Sequence, residues 1–306
     1  MIPRAGALLL IVISVALGTG CSGAGKADPA AELPTLDAIV SAHDARVGAL
    51  DTFWAMASVR VEGRDAAGSK FSEQGEGHVQ SERPSSVAIA LGKLGEVYFA
   101  LGSNEDSYWL IDVSDSKRRM MVSGAQALAT PEKAAALGLP VHPRDIPLLL
   151  GLTPMDGRTI GEPAFNDAGQ AVVAMASKWG RAELRFDPGS LELVGAAAFD
   201  EDGALLAEAD LSRHVDVANE VGQGVLGRVP GKAEIRVPGF DGFVRMVLDG
   251  PRVKPINATV FNPARLSRAY RVRERIDLDA PPEQAEPIET GTDSGTGSGG
   301  NTDTDG

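Results

Sequence analysis

The sequence is short of cysteine (one residue in 306), of aromatic residues (5%) and of bases, with 29 Lys+Arg against 42 Asp+Glu. The first and last of these shortages each exclude something. A single cysteine can build neither a disulfide framework nor a Cys-based zinc site. A net charge of −13 leaves no basic footprint for the phosphates of nucleic acid, so no nucleic-acid partner is expected. The main apolar run, residues 7–17, is eleven residues long. It is too short to cross a hydrocarbon core as a helix, which takes ~20 residues. The signatures of catalysis are missing too. His43, His78, His142 and His214 are scattered, with no HExxH or HxH spacing. There is no GxSxG elbow and no GxxxxGK[ST] phosphate loop. Gly222 to Gly227 matches GxGxxG but has no long helix after it and reads as a loop. Asp200-Glu-Asp-Gly203 lacks the rest of a calcium loop and reads as a turn. The expectation is no metal, no cofactor and no enzymatic step. A hydrolase would need a histidine, an acid and a nucleophile gathered from distant segments into one cleft.

Other features are plentiful. A hydrophobic fraction of 43% suffices for a core and excludes a fully disordered chain. The 36 glycines and 19 prolines point to many turns and a β-rich fold. Charge is uneven along the chain. Residues 1–20 carry only Arg4, residues 281–306 carry six acids and no base, and −8 remains for residues 21–280.

Arg4 followed by the apolar run has the shape of a signal peptide, assigned to residues 1–20. It ends Gly18-Thr-Gly-Cys21, which resembles a bacterial lipobox, with Gly18 where an aliphatic residue is usual. Cys21 is therefore the expected lipid-attachment residue, and its acyl chains would anchor the protein without a membrane span. Residues 21–34 read as a flexible tether. Ser22, and not Asp, follows the cysteine, which by resemblance to enterobacterial lipoprotein sorting implies the outer membrane, facing the periplasm. Residues 281–306, made largely of Gly, Ser, Thr, Pro and acid, cannot bury enough apolar area to order and read as a disordered tail.

Between them, residues 35–280 form the folded unit. Leu36, Ile39, Val40, Val47 and Leu50 recur at helical spacing after Thr35, with Asp37 in the first turn, giving a helix over about 35–50. His43 falls on the same stripe and is expected partly buried. From Phe53 the period is two, and strand candidates follow at short intervals: 70–80, 85–91, 95–102, 107–113 and 117–122. Short links make them antiparallel. Residues 125–137 read as a helix broken at Pro131, and Ile146 to Leu152 as a brief buried helix. Further strands are expected at 171–175, 181–187, 191–200, 204–214, 232–237, 242–248 and 258–261. About a dozen antiparallel strands in one sheet must curl. Their apolar face then needs the helices at 35–50 and 125–152 as cover.

Four stretches carry a resemblance. They are Phe53 to Gly63, Ile89 to Phe99 around Leu94-Gly95, Gly138 to Leu152, and Pro230 to Val237 with the segments 243–248 and 257–263. Together they resemble the LolA/LolB carriers of lipoproteins, and the lipid anchor is similar to that of LolB. The resemblance implies an α+β fold: an unclosed, strongly curved antiparallel barrel whose helices cover an apolar cavity. It implies acyl-chain binding, with Trp54, Val97, Phe99, Trp109, Ile111, Leu148 and Leu149 as cavity candidates. Leu94 would be a protruding residue that helps insert cargo into a membrane. Implied partners are membrane lipid, a LolA-like periplasmic carrier and lipoprotein cargo, with the protein itself a monomer. Residues 187–230 and the acidic tail depart from the compact LolB pattern. The alternative is a structural or interaction lipoprotein with a filled barrel and no ligand, since periodicity alone does not separate a filled core from a cavity.

Overall fold

The computed structural model describes residues 32–64, 68–136, 141–155, 157–220 and 222–280. The signal segment, Cys21, most of the 21–34 tether and the 281–306 tail lie outside the described residues.

Thr35 caps α1 (Leu36–Val47), its hydroxyl accepting the Ala38 N–H, and Asp37 sits in the first turn. Both satisfy the orphan N–H groups and dipole of a helix start. Ile39, His43 and Val47 recur every four residues and are buried. A first meander follows: β1 (Thr52–Arg64), β2 (Lys70–Glu82), β3 (Ser86–Lys93), β4 (Glu96–Ser103), β5 (Ser107–Asp112) and β6 (Met120–Ala125). A helical insert comes next, with 3-10 turns at Gln126–Leu128 and Pro143–Asp145, α2 (Pro131–Ala136) and α3 (Ile146–Leu149). The second meander is β7 (Thr159–Phe165), β8 (Ala171–Ala176), β9 (Gly180–Phe186), β10 (Leu193–Asp200), β11 (Leu205–Asn219), β12 (Val225–Arg236) and β13 (Phe243–Val253). A 3-10 turn at Ala258–Phe261, α4 (Pro263–Ala269) and β14 (Glu274–Asp277) end the described chain.

The fourteen strands of the described residues form one sheet, in the order β14-β6-β5-β4-β3-β2-β1-β13-β12-β11-β10-β9-β8-β7. Pairing is antiparallel except for β14 on β6 and a two-residue β11–β13 contact. The meanders join where β1 pairs β13, from Trp54↔Arg252 to Glu62↔Phe243. β14 and β7 are the two ends of the ladder, so the sheet curls without closing.

One apolar cluster occupies the inner face, built from Phe53, Ala55, Ala57 and Val59 of β1, alternate residues of the other strands, and the covering segments. α1 contributes Ile39 and Val47, and the α3 segment contributes Ile146, Leu148, Leu149, Leu150 and Leu152. The two helical regions expected as cover therefore do cover the sheet. His43 Nε2 contacts the Thr153 carbonyl at 2.9 Å and Asp44 Oδ1 accepts the Met155 N–H at 2.8 Å, tying α1 to the chain that leaves α3. A second, smaller cluster of Ala100, Trp109, Ile111 and Met121 lies on the outer face, packed against Leu266, Tyr270 and Val272.

Several sequence expectations change. Pro131 begins α2 rather than breaking a helix, because proline at the first position loses only an orphan N–H. Residues 258–261 form a 3-10 turn and not a strand, since Asn257 Oδ1 accepts the Thr259 N–H and starts a helical turn. Val225 to Gly227, expected in a loop, open β12. Gly227 is where α1 crosses: a Cβ there would lie 2.0 Å from the Arg46 carbonyl oxygen. β7 and β14 are additional strands, both at sheet ends.

Candidate ligand site at one end of the sheet

Antiparallel strands place alternate turns at opposite ends of the sheet. The β3–β4 turn lies at one end with the β12–β13 turn, and the β2–β3 turn lies at the other with the start of β1.

At the first end, Lys93 pairs with Glu96 and the two-residue turn is Leu94-Gly95, with φ 54° and 85°. A tight hairpin of this kind wants positive φ at both positions, which Asn-Gly supplies easily. A leucine there costs roughly 1–2 kcal/mol. The Leu94 side chain is fully exposed (103%), so no packing within the fold offsets that cost. A leucine folded back on the core is excluded. The same end holds the Phe71–Phe240 ring pair, with centroids 6.4 Å apart.

At the opposite end a pocket of about 560 Å³ opens between the β2–β3 turn, the α3 segment and the β8–β9 turn. Its apolar wall includes Leu50, Leu148, Leu152 and Met175. Its polar wall holds Arg83, Arg144, Arg158 and Lys178 against two acids, Glu82 and Asp145. Asp145 belongs to a buried aromatic group. Its Oδ2 accepts the Trp179 Nε1–H at 2.7 Å, and the His142 ring lies 4.7 Å from Tyr108 and 5.3 Å from Trp179. Burial raises the Asp145 carboxyl to about 6 and lowers the His142 imidazole to about 3. A second pocket of about 190 Å³ lies behind Asp145 and Trp179, walled by Val141, Leu205, Leu206 and Val237.

The structure separates the cavity candidates. Leu148 and Leu149 belong to the inner core, and Leu148 also lines the larger pocket. Trp109 and Ile111 do not face inward: Tyr108 and Leu110 do, and the Trp109 ring lies on Gly102 of the outer face. The reason is that α4 covers the outside of β5, so its four central residues are all buried and the run shows no alternation. Trp54 also points outward, since Phe53 and Ala55 on either side are core; Lys254 Nζ and Arg252 lie over its ring at 4.1 and 4.8 Å. Phe99 shares the face of Leu101 but is 41% exposed, beyond the edge of the core. Val97 lies past a bulge in the β3–β4 ladder and is half-buried. The residues missed by sequence reasoning are Arg83, Arg144, Arg158, Lys178 and Trp179, which come from four separate segments and form no local motif.

The hydrolase arrangement does not form around His142 or His214. His142 Nδ1 accepts the Arg144 N–H at 3.1 Å, while His214 is held by the Leu193 carbonyl and Glu192. Among the described residues no group of three or more His, Cys, Asp or Glu could hold a metal ion, and no helix is long and apolar enough to cross a membrane.

No protein-family profile and no curated protein matches the sequence. Solved structures resemble the fold. A LolA superfamily protein from Nitrosomonas europaea is 12% identical, with a TM-score of 0.47 over 76% of this chain and 99% of its own. A domain from Vibrio parahaemolyticus described as an outer membrane lipoprotein-sorting protein is 13% identical, with a TM-score of 0.46 over 76% and 97%. A DUF1329 family protein from Desulfovibrio piger is 13% identical, with a TM-score of 0.42 over 74% and 95%. The unclosed, helix-covered antiparallel barrel that the sequence resemblance implied is the architecture of this chain.

Proposed function

We propose that the protein is a lipid-anchored acyl-chain carrier or acceptor of the bacterial envelope, acting without an enzymatic step in lipoprotein or lipid transfer at the outer membrane. Cys21 would hold the anchor. A LolA-like carrier would present the cargo, and the bilayer would receive it. Apolar area removed from water stabilises the bound chain by ~25 cal/mol per Å². A membrane is as apolar as a protein interior, so release needs no energy source.

The observation that carries the reading is Leu94. A bulky apolar side chain on a left-handed turn, entirely in water, is unfavourable to the fold on its own terms. Its cost is offset if the side chain enters a bilayer, with Lys93 beside it contributing up to ~1 kcal/mol near anionic head groups. The test is transfer of a fluorescent acylated peptide from the anchored protein to liposomes. Leu94→Glu should leave the fold and peptide binding intact and slow transfer severalfold. Unchanged transfer would contradict the role of the tip.

One observation favours a second reading, a structural lipoprotein with a filled barrel. α1 and the α3 segment already occupy the inner face, so a chain reaches the inner core itself only where the α3 segment yields. Failure of a neutral apolar probe to bind at micromolar protein would select this reading.

A further inference from the structure

The pocket beneath the β2–β3 turn differs from the rest of the surface in how its cations are matched. Elsewhere many arginines pair with carboxylates, among them Arg60 with Glu62, Arg64 with Asp241, Arg118 with Glu274, Arg228 with Glu192 and Asp216, and Arg245 with Glu234, although Arg46 and Arg119 bond carbonyl oxygens. Around the pocket they bond mainly to carbonyl oxygens. Arg83 donates to Val47 and Gly48 at the end of α1, with Asp51 at 3.6 Å. Arg158 donates to Pro154, and Lys178 to Gln126. Arg144 is exposed, and no ion pair or side-chain hydrogen bond engages its guanidinium among the described residues.

Two of the cations, Arg144 and Lys178, also oppose each other. Burial lowers the pKa of Arg83, Arg158 and Lys178; Asp51 and Asp44 oppose that at Arg83 and Asp44 opposes it at Arg158, whereas at Lys178 the repulsion from Arg144 adds to it ahead of the opposing Asp145. An oxyanion between them would relieve both the desolvation and the repulsion. Two hydroxyl groups in the same wall, Ser85 Oγ and Ser177 Oγ, are buried without a hydrogen-bond partner. Each has a proton to donate, and a rotation about its Cα–Cβ bond would turn it to such an anion. Below this polar rim, Leu50, Leu148, Leu152 and Met175 offer apolar surface. The volume of about 560 Å³ lies in the range of small-ligand sites.

We infer that this pocket binds the phosphate of an acidic lipid head group, gripped by Arg144 and Lys178 and seated against Ser85 and Ser177, with its apolar chain against the Leu148 wall. The inference rests on the lipid-binding reading but concerns the other end of the sheet from Leu94. Failure of the inference is therefore distinguishable from failure of that reading.

The test uses the full chain carrying Cys21→Ser. Short-chain phosphatidylglycerol, short-chain phosphatidylcholine and inorganic phosphate are titrated by calorimetry, with a neutral apolar probe in parallel. Phosphatidylglycerol should bind at least tenfold more tightly than phosphatidylcholine. Inorganic phosphate should compete weakly. Arg144→Ala with Lys178→Ala should abolish the tenfold preference while leaving neutral-probe binding unchanged. Arg144→Glu alone, at a guanidinium with no hydrogen bond or ion pair among the described residues, should weaken phosphatidylglycerol at least tenfold without lowering the unfolding temperature. Equal binding of the two lipids would overturn the inference even if the neutral probe binds. So would phosphate binding as tightly as phosphatidylglycerol, which would mark a free-ion site. Unchanged affinity in Arg144→Glu would also overturn it.

Discussion

The two ends of β3 carry opposite chemistry. At the Lys93 end the chain turns through Leu94 on a left-handed backbone and leaves an apolar side chain in water. At the Ser86 end it turns through Arg83 and Ser85 into a wall of four basic residues, of which only Arg83 has a carboxylate, Asp51, at ion-pair distance among the described residues, and of two hydroxyls without hydrogen bonds there. Eight residues separate the ends, about 26 Å at ~3.3 Å per residue. Neither feature helps the isolated fold. One is relieved by an apolar medium and the other by an anion, and a lipid bilayer or a lipid molecule supplies both.

The comparison assumes that the sheet between the ends is a fixed body with two distinct faces. The largest expected effect tests the outer face. Trp109→Ala should cost about 3–5 kcal/mol in denaturant unfolding yet leave neutral-probe binding unchanged, because the ring packs outside with Ala100 and Met121. Loss of probe binding at retained fold would return Trp109 to the cavity. On the inner face, Leu149→Ala should cost about 2–5 kcal/mol, since Leu149 is completely buried. A cost under ~1 kcal/mol would mean that the α3 segment is loosely seated and already yields.

A smaller effect concerns pH at the Arg83 end. Burial holds Asp145 at about 6, above its ordinary 3.8, so between those values the native carboxyl keeps a proton that the unfolded one has lost. Its contribution favours the native state in acid and fades as pH rises through 6. His142 runs the other way. Held at about 3 against 6.5, it costs the native state stability as pH falls below 6.5. The two slopes offset each other. Asp145→Asn leaves the histidine slope alone, so this variant should lose more stability than the parent between pH 7 and pH 5. An identical loss in both would show that Asp145 ionises normally.

The smallest effect is at the tip. Leu94→Asn should raise stability by up to ~1 kcal/mol, because asparagine tolerates the left-handed turn better. A loss of stability would mean that the leucine is held by contacts within the protein.

Much of the fold was legible in the sequence. The α1 stripe, the period-two run after Phe53 and the turn at Leu94-Gly95 follow from local spacing. The covering role of the α3 segment follows from its consecutive leucines. The faces of β5 were not legible, because α4 buries its outer side and removes the alternation on which a reading depends. β7 carries Gly161 and Pro163 near its centre, where its register slips between Ile160 and Ala164. The basic pocket draws on residues from 83 to 178, and no local pattern announces a site assembled by curling a sheet.

The most direct measurement places a reporter at each end of the sheet. Cys21 is the only cysteine, so the full chain with Cys21→Ser and Leu94→Cys accepts one polarity-sensitive dye. A second variant carries the dye at Glu105→Cys, in the exposed β4–β5 turn at the far end. Vesicles of phosphatidylethanolamine and phosphatidylglycerol containing doxyl-labelled acyl chains are then added. The account predicts a blue shift and doxyl quenching at position 94 and neither at position 105. No response at 94, or equal responses at both, would contradict it.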